Sequence, residues 1–332
     1  MLNYTKQKIA GAPTPMAGLA LGIASLGWCW ENALPLNGYA QWFSAAIASV
    51  LLLVLAVKFL LHPAVLWNEL AHPVVGSVAP TFAMGTMVVS ASIGHFYRAA
   101  GDALWLAAVV IHIIFLISFI YHRAKDFELH HMVPSWFVPP VGLIVADVSF
   151  SGSASLASLA SVAHWVLMFG LVSYAIMLPI MIYRLIFSHE VPDAAKPTIA
   201  IMAAPASLSL AGYLTVTSSP SPVIIALLFG IAVLMTSVIY MAFFKLMRLP
   251  FSPGYAAFTF PMVIGATALF KTANWMLSQG VAANYVYQVR TLAVVELVIA
   301  TCVVSYVAIH YLAHYRPITR MTNRLANMSH AH

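Results

Sequence analysis

Three acids and bases stand out within the long apolar stretches of this sequence: Asp147, Lys271 and Glu296. An ion is costly to hold in a bilayer, so such residues pair, border water or relay protons. Lys271 and Glu296 fall at similar depths in consecutive stretches, which predicts a structural ion pair, with attraction of an anion by Lys271 as the competing use. Asp147 lies near the end of its stretch, within reach of water. His112, His164, His310 and His314 fall in or near apolar stretches, where a haem protein or a proton-coupled carrier would use them. No spacing among them specifies a haem pair; proton coupling through His95, Asp147 or Glu296 stays open. There is no P-loop, nucleophile elbow or HExxH arrangement, so neither an enzyme nor ATP-driven transport is expected. Cys29 and Cys302 both sit in apolar stretches and support neither a disulfide framework nor a four-ligand zinc site. No cofactor or metal is expected.

An aromatic residue adds a different kind of chemistry, that of a plug. The stretch PGYAAFTFPMVIGATALFKTAN, from Pro253 to Asn274, is 22 residues long and has Pro261 in its middle and Lys271 near its far end. A helix facing lipid would avoid both. A proline within a helix frees a backbone carbonyl, which a bilayer tolerates only where protein or trapped water satisfies it. The stretch is therefore predicted to face inward, with Phe260 beside the kink and in a pathway. Phe258 lies two residues away, about 200° around a helix, so the two rings cannot share one lumen. Ordinary core packing is the alternative for either ring.

The elements that must position these residues are membrane helices. Charged residues make up 7% of the 332 residues and hydrophobic ones 62%, far from the near-quarter charge content of soluble domains. Polar breaks divide the chain into ten spans: 14–32, 41–61, 73–96, 103–123, 134–150, 158–187, 197–215, 222–247, 253–277 and 286–313. Residues 1–13 and 314–332 are read as cytoplasmic termini, and 14–313 as one all-α integral membrane domain. The net charge of +6 does not indicate nucleic acid, because the 15 Lys and Arg are scattered between spans and form no stripe. Twelve fall on one side: Lys6, Lys8, Lys58, Arg123, Lys125, Arg184, Lys196, Lys245, Arg248, Arg316, Arg320 and Arg324. Only Arg98, Lys271 and Arg290 oppose them. The positive-inside rule then places both termini in the cytoplasm of a multi-pass cell-membrane protein. The N-terminal residues lack a signal-peptide core, so span 1 is expected to be retained.

The spans alternate in character. Spans 1, 3, 5, 7 and 9 are rich in Gly, Ala, Ser and Pro; the even spans are bulky and aliphatic, although span 6 contains Pro179. In spans 3, 5, 7 and 9 an opening proline is followed by a second one 7, 5 to 6, 8 and 8 residues later. This predicts one helical hairpin used five times, with repeats parallel about an axis along the membrane normal. The expected architecture is five kinked inner helices around a central pore, surrounded by five outer ones. Small and proline positions of the odd spans are its expected lining: Gly18, Gly22, Pro80, Pro139, Pro205, Thr259 and Pro261.

Five stretches bear a resemblance to a known family: MAGLALGIASLGW from Met16, ELAHPVVGSVAPTFAMGTM from Glu69, PSWFVPPVGLIVADVSF from Pro134, PTIAIMAAPASLSLAGYL from Pro197 and AAFTFPMVIGATALFKTAN from Ala256. Together they resemble the tellurite-resistance/dicarboxylate transporter family, which includes bacterial TehA proteins, fungal malate and sulfite transporters and plant slow anion channels. The resemblance implies ten helices in five hairpins around a pore, in homotrimers with one pore per subunit. It implies a phenylalanine gate, which the TFP pattern places at Phe260, with Gly18 as the small position of span 1. Lys271 resembles a lysine of the plant-channel branch. The implied function is a gated channel for small anions. The alternative is a secondary carrier, proton-coupled or not, for C4-dicarboxylate, sulfite or tellurite-related substrates. The long cytosolic tails of the plant channels are missing, which removes the basis for expecting kinase-controlled opening.

Overall fold

A computed structural model of the chain describes residues 9–151 and 160–315. Lys6, Lys8, Arg316, Arg320 and Arg324, together with most of both terminal segments, lie outside the described residues. Among the described residues, ten helices correspond to the ten spans: α1 Met16–Ala33, α2 Tyr39–Leu61, α3 Val75–Phe96, α4 Arg98–Lys125, α5 Pro134–Val148, α6 Ala160–Phe187, α7 Lys196–Val216, α8 Pro222–Leu246, α9 Pro253–Ser278 and α10 Ala283–His314. Eight of them are long and apolar enough to cross a membrane; α1 is less apolar and α5 is shorter. A further short helix, Pro63–Ala71, follows α2 and was not expected.

Helix packing follows the alternation in composition. Among the described residues the odd helices touch in the closed order α1, α3, α5, α7, α9 and back to α1. Each even helix lies in the groove between two of them: α2 against α1 and α3, α4 against α3 and α5, α6 against α5 and α7, α8 against α7 and α9, α10 against α9 and α1. Burial separates the two rings. Across the apolar window of each helix, 78% of positions are buried in α3 and α7 and 83% in α9, against 28% in α6 and α8, 33% in α2 and 39% in α4 and α10. Small residues let the inner backbones approach closely, while Leu, Ile and Phe on the outer helices suit hydrocarbon.

In α5, α7 and α9 the second proline does not break an α-helix as expected, whereas in α3 Pro80 does stand between two α-helical pieces, Val75–Val78 and Thr81–Phe96. Helices α5, α7 and α9 open with a 3-10 segment, Pro134–Phe137, Lys196–Ala203 and Pro253–Phe258 respectively, and α3 opens with the short α-helical turn Val75–Val78. The longer α-helical part starts afterwards, and the second proline sits at its beginning: Pro80 at the N-cap of Thr81–Phe96, Pro205 second in Ala204–Val216, Pro261 third in Thr259–Ser278. Pro139 likewise falls second in the short turn Val138–Val141. In the first turn of a helix the missing N–H costs nothing, since it has no intrahelical acceptor there. Among the described residues, only Pro179, in outer helix α6, lies beyond the first turn of an α-helix.

A repeated contact fixes the hairpins at the basic face. Near the end of α2, Lys58 Nζ donates to the Ala12 carbonyl at 2.8 Å; near the end of α4, Arg123 Nη2 donates to Ala71 at 2.5 Å; near the end of α6, Arg184 Nη2 donates to His130 at 2.7 Å. Each acceptor lies four residues before the odd helix of the same hairpin. In the fifth hairpin the Tyr311 hydroxyl donates to the Pro253 carbonyl at 2.5 Å. Cations at a helix C-terminus also meet the favourable end of its dipole. The Lys58 ammonium, 1% exposed, is further held by Glu69 Oε1 at 2.6 Å and Thr14 Oγ1 at 3.0 Å. Thr14 in turn donates to Glu69 Oε2 at 2.7 Å. This satisfied network explains how a lysine stays buried.

Candidate functional site: two axial cavities bordered by Phe260

Two cavities lie inside the ring of odd helices. The first, about 80 Å³, is bordered by residues early in each odd span, among them Pro15 and Gly18, Val74 and Val78, Phe137 and Val138, Thr198 and Ile201, and Gly254 and Ala257. The second, about 50 Å³, is bordered by later residues: Ser25, Trp28 and Asn32 of α1, Val88 of α3, Val145 and Val148 of α5, and Ile264, Thr267 and Lys271 of α9. Two side chains border both, Phe260 from α9 and Leu208 from α7. All five odd helices contribute to each cavity, and none of the bordering residues belongs to an even helix.

The local sequence aims Phe260 at this position. Phe260, Ile264, Thr267 and Lys271 follow one another at spacings of 4, 3 and 4, so one stripe of α9 faces the second cavity. Thr259 turns away from the cavities. It is fully buried, and its hydroxyl donates to the Gly18 carbonyl at 3.0 Å and to the Ala256 carbonyl at 2.7 Å, holding α9 against α1. Phe258 packs in the core, with its ring 5.5 Å from Phe243 and 4.9 Å from Tyr255. The two phenylalanines therefore have different surroundings, as their two-residue spacing requires.

The seven positions expected to line the axis divide. Gly18, Pro205 and Pro261 border the first cavity. Gly22, Pro80, Pro139 and Thr259 border neither. Gly22 is where α1 meets α9, since a Cβ there would stand 2.5 Å from Thr259 Cβ. Pro80 starts a helix, and the Pro139 carbonyl accepts a hydrogen bond from the buried His112 Nε2 at 2.9 Å. A small or cyclic residue in an inner helix serves tight packing as readily as an open lumen, so composition alone did not separate the two. Leu208 was missed. Its signal is a bulky residue within the small run APASLSLAGY of α7.

The ion pair expected between Lys271 and Glu296 is not formed. Lys271 borders the second cavity, whereas Glu296 is 4% exposed on the far side of α9, facing Gly265, where a Cβ would lie 2.4 Å from Glu296 Oε2. Six residues separate Gly265 from Lys271, about 9 Å of rise and a rotation of about 240°. Matched depth by residue count thus overlooked the phase of the helix. Asp147 does not reach water as expected. It is fully buried beside Gly212, and among the described residues neither of its carboxylate oxygens has a hydrogen-bond partner. Cys29 is buried and Cys302 exposed, both unpaired.

The second cavity is the more polar of the two, bordered by Lys271, Ser25, Thr267 and Asn32 among apolar side chains, with the Thr267 hydroxyl donating to the Val263 carbonyl at 3.1 Å and the Asn32 amide to the Trp28 carbonyl at 3.2 Å. The first is almost wholly apolar. Comparison with known proteins identifies the family. Residues 14–312 match the family described as voltage-dependent anion channel, SLAC1. Among curated relatives, two uncharacterized transporters of Methanocaldococcus jannaschii are similar. One is 24% identical over 246 residues, covering 67% of this chain and 71% of the relative; the other is 26% identical over 220 residues, covering 58% and 62%. With the family match running from before α1 almost to the end of α10, the chain belongs to the voltage-dependent anion channel family of membrane transport proteins.

Proposed function

We propose that this protein is a gated channel for small anions, with the pathway running through the two axial cavities and closed by Phe260. The supporting observation is that Phe260, 8% exposed, borders both cavities, as does Leu208 from the neighbouring helix α7. Few fixed charges meet the axis, so anions would be drawn by Lys271, by hydroxyl and amide donors and by the overall positive field. The basic face is the cytoplasmic one in this reading, and the assembly is a homotrimer with one pathway per subunit.

The test is current at matched surface expression, in oocytes or planar bilayers. Phe260→Ala should raise basal anion current several-fold over the parent, while Phe258→Ala, which removes a core ring, should lower stability without raising current. A folded Phe260→Ala protein that conducts no more than the parent would remove Phe260 from the gate.

A second reading is a proton-coupled carrier of C4-dicarboxylate, sulfite or tellurite-related anions. It is favoured by Glu296 Oε2 and both oxygens of Asp147, buried acidic atoms without hydrogen-bond partners among the described residues. Flux that saturates with anion and moves protons in fixed ratio would select the carrier; linear current independent of a proton gradient would select the channel.

A further inference from the structure

The linker between α4 and α5 holds three metal-ligating side chains that the anion pathway does not use. Glu128 Oε2 lies 3.1 Å from His130 Nε2 and 3.9 Å from His131 Nε2. One ligand atom from each of the three residues lies within 4.8 Å of the others. The imidazole rings are 4.3 Å apart between centroids, and a fourth candidate ligand, His189 from the segment after α6, has its ring 6.2 Å from that of His130. From this geometry we infer that Glu128, His130 and His131 form a binding site for a divalent transition-metal ion of the zinc class, open to solvent at the basic face.

Two features make this arrangement more than a surface ion pair. The backbone is fixed, since residues Leu129–His131 form a 3-10 turn and the His130 carbonyl is held by the buried Arg184 guanidinium at 2.7 Å. The side chains therefore converge from a constrained turn. The distances also fit the chemistry: a tetrahedral ion with ligands at about 2.1 Å has them about 3.4 Å apart, so closure around the ion needs small side-chain shifts. Two imidazoles and one carboxylate favour Zn²⁺, Ni²⁺ or Cu²⁺ over Mg²⁺ or Ca²⁺, which take oxygen ligands. The three side chains are 31% to 52% exposed, leaving an approach for the ion and room for water or His189 to complete its shell.

The experiment uses the full chain in detergent micelles, without a polyhistidine tag and stripped by chelator, titrated with ZnCl₂ by isothermal calorimetry. The parent should bind one equivalent more than the His130→Ala/His131→Ala variant, and neither MgCl₂ nor CaCl₂ should compete. Glu128→Gln should weaken this site by at least on the order of tenfold, the lower range for loss of even an outer-shell partner. Since Glu128 is half exposed and the exchange keeps its shape, this variant carries the test if the double variant fails to fold. The chain has 13 histidines, so zinc binding elsewhere is the competing explanation. Equal stoichiometry and affinity in the parent and the folded variants would establish it and overturn the site.

Discussion

Glu296 and Lys271 show how much a single helical phase decides. An acid and a base placed at one depth would be expected to neutralise each other, yet here one faces the axis and the other the back of α9. Their energetic independence is testable. Removing a partner from a true buried pair leaves an uncompensated ion, and the double substitution then costs less than the sum. Without contact, thermal unfolding in detergent should show Lys271→Ala and Glu296→Gln adding to within about 0.5 kcal/mol. Glu296→Gln alone should hold or raise stability, because it removes a buried carboxylate that has no ion partner among the described residues. A coupling above about 1 kcal/mol would mean that the two side chains meet. The residue types at these positions were legible in the sequence, and so was the difference between Phe258 and Phe260. The network of Lys58, Glu69 and Thr14 was not, because it depends on the short helix Pro63–Ala71, packed against α2, α3 and α4, bringing Glu69 to Lys58 and Thr14.

Helices α1 and α9 meet through small residues, and the tolerance at each one follows from what a methyl group would touch. At Gly18 an added Cβ would stand 3.4 Å from Ala256 Cβ, near ordinary contact. At Gly22 it would stand 2.5 Å from both Cβ and Oγ1 of Thr259 and 3.2 Å from the Phe260 backbone nitrogen. The Thr259 hydroxyl is already committed to the Gly18 carbonyl, so the clash must move the α9 backbone beside Phe260. Gly22→Ala should therefore destabilise by about 1–3 kcal/mol, the usual cost of overpacking, while Gly18→Ala stays near the parent. Unfolding temperatures of the purified proteins check this, and equal losses at the two sites would contradict the packing described. The alternation of small and bulky spans made the inner and outer helices legible, and the paired prolines marked the four interrupted inner ones. What the prolines did was less legible. A proline at the start of an α-helix after a 3-10 segment has the same sequence signature as one that kinks a continuous helix. Only the hydrogen-bond pattern separates them.

At the scale of the whole molecule, a closed inner ring within an outer ring puts two solvents in contact with one chain. Outward positions such as Ile117, Val172 and Leu227 are 61%, 52% and 62% exposed and apolar, as hydrocarbon requires, whereas Ser25 and Thr267 face an internal cavity. Thiol chemistry distinguishes the two surroundings, since a charged methanethiosulfonate reacts where water reaches and not in lipid. In a background lacking Cys29 and Cys302, Ile117→Cys and Leu227→Cys should resist the reagent from both sides of the membrane. Ser25→Cys should react from the side opposite the basic face, because the second cavity lies beyond Phe260 in the later part of every odd helix. With Phe260 intact, the same cysteine should be protected from reagent applied at the basic face. Adding Phe260→Ala should open that route, raising the rate of modification from the basic face while leaving the rate from the other side nearly unchanged. Labelling of Leu227→Cys would place water on the outside of α8 and break the two-ring arrangement. Labelling of Ser25→Cys from the basic face at one rate with and without the ring would keep the arrangement but place the barrier elsewhere, with Leu208 the next side chain to truncate.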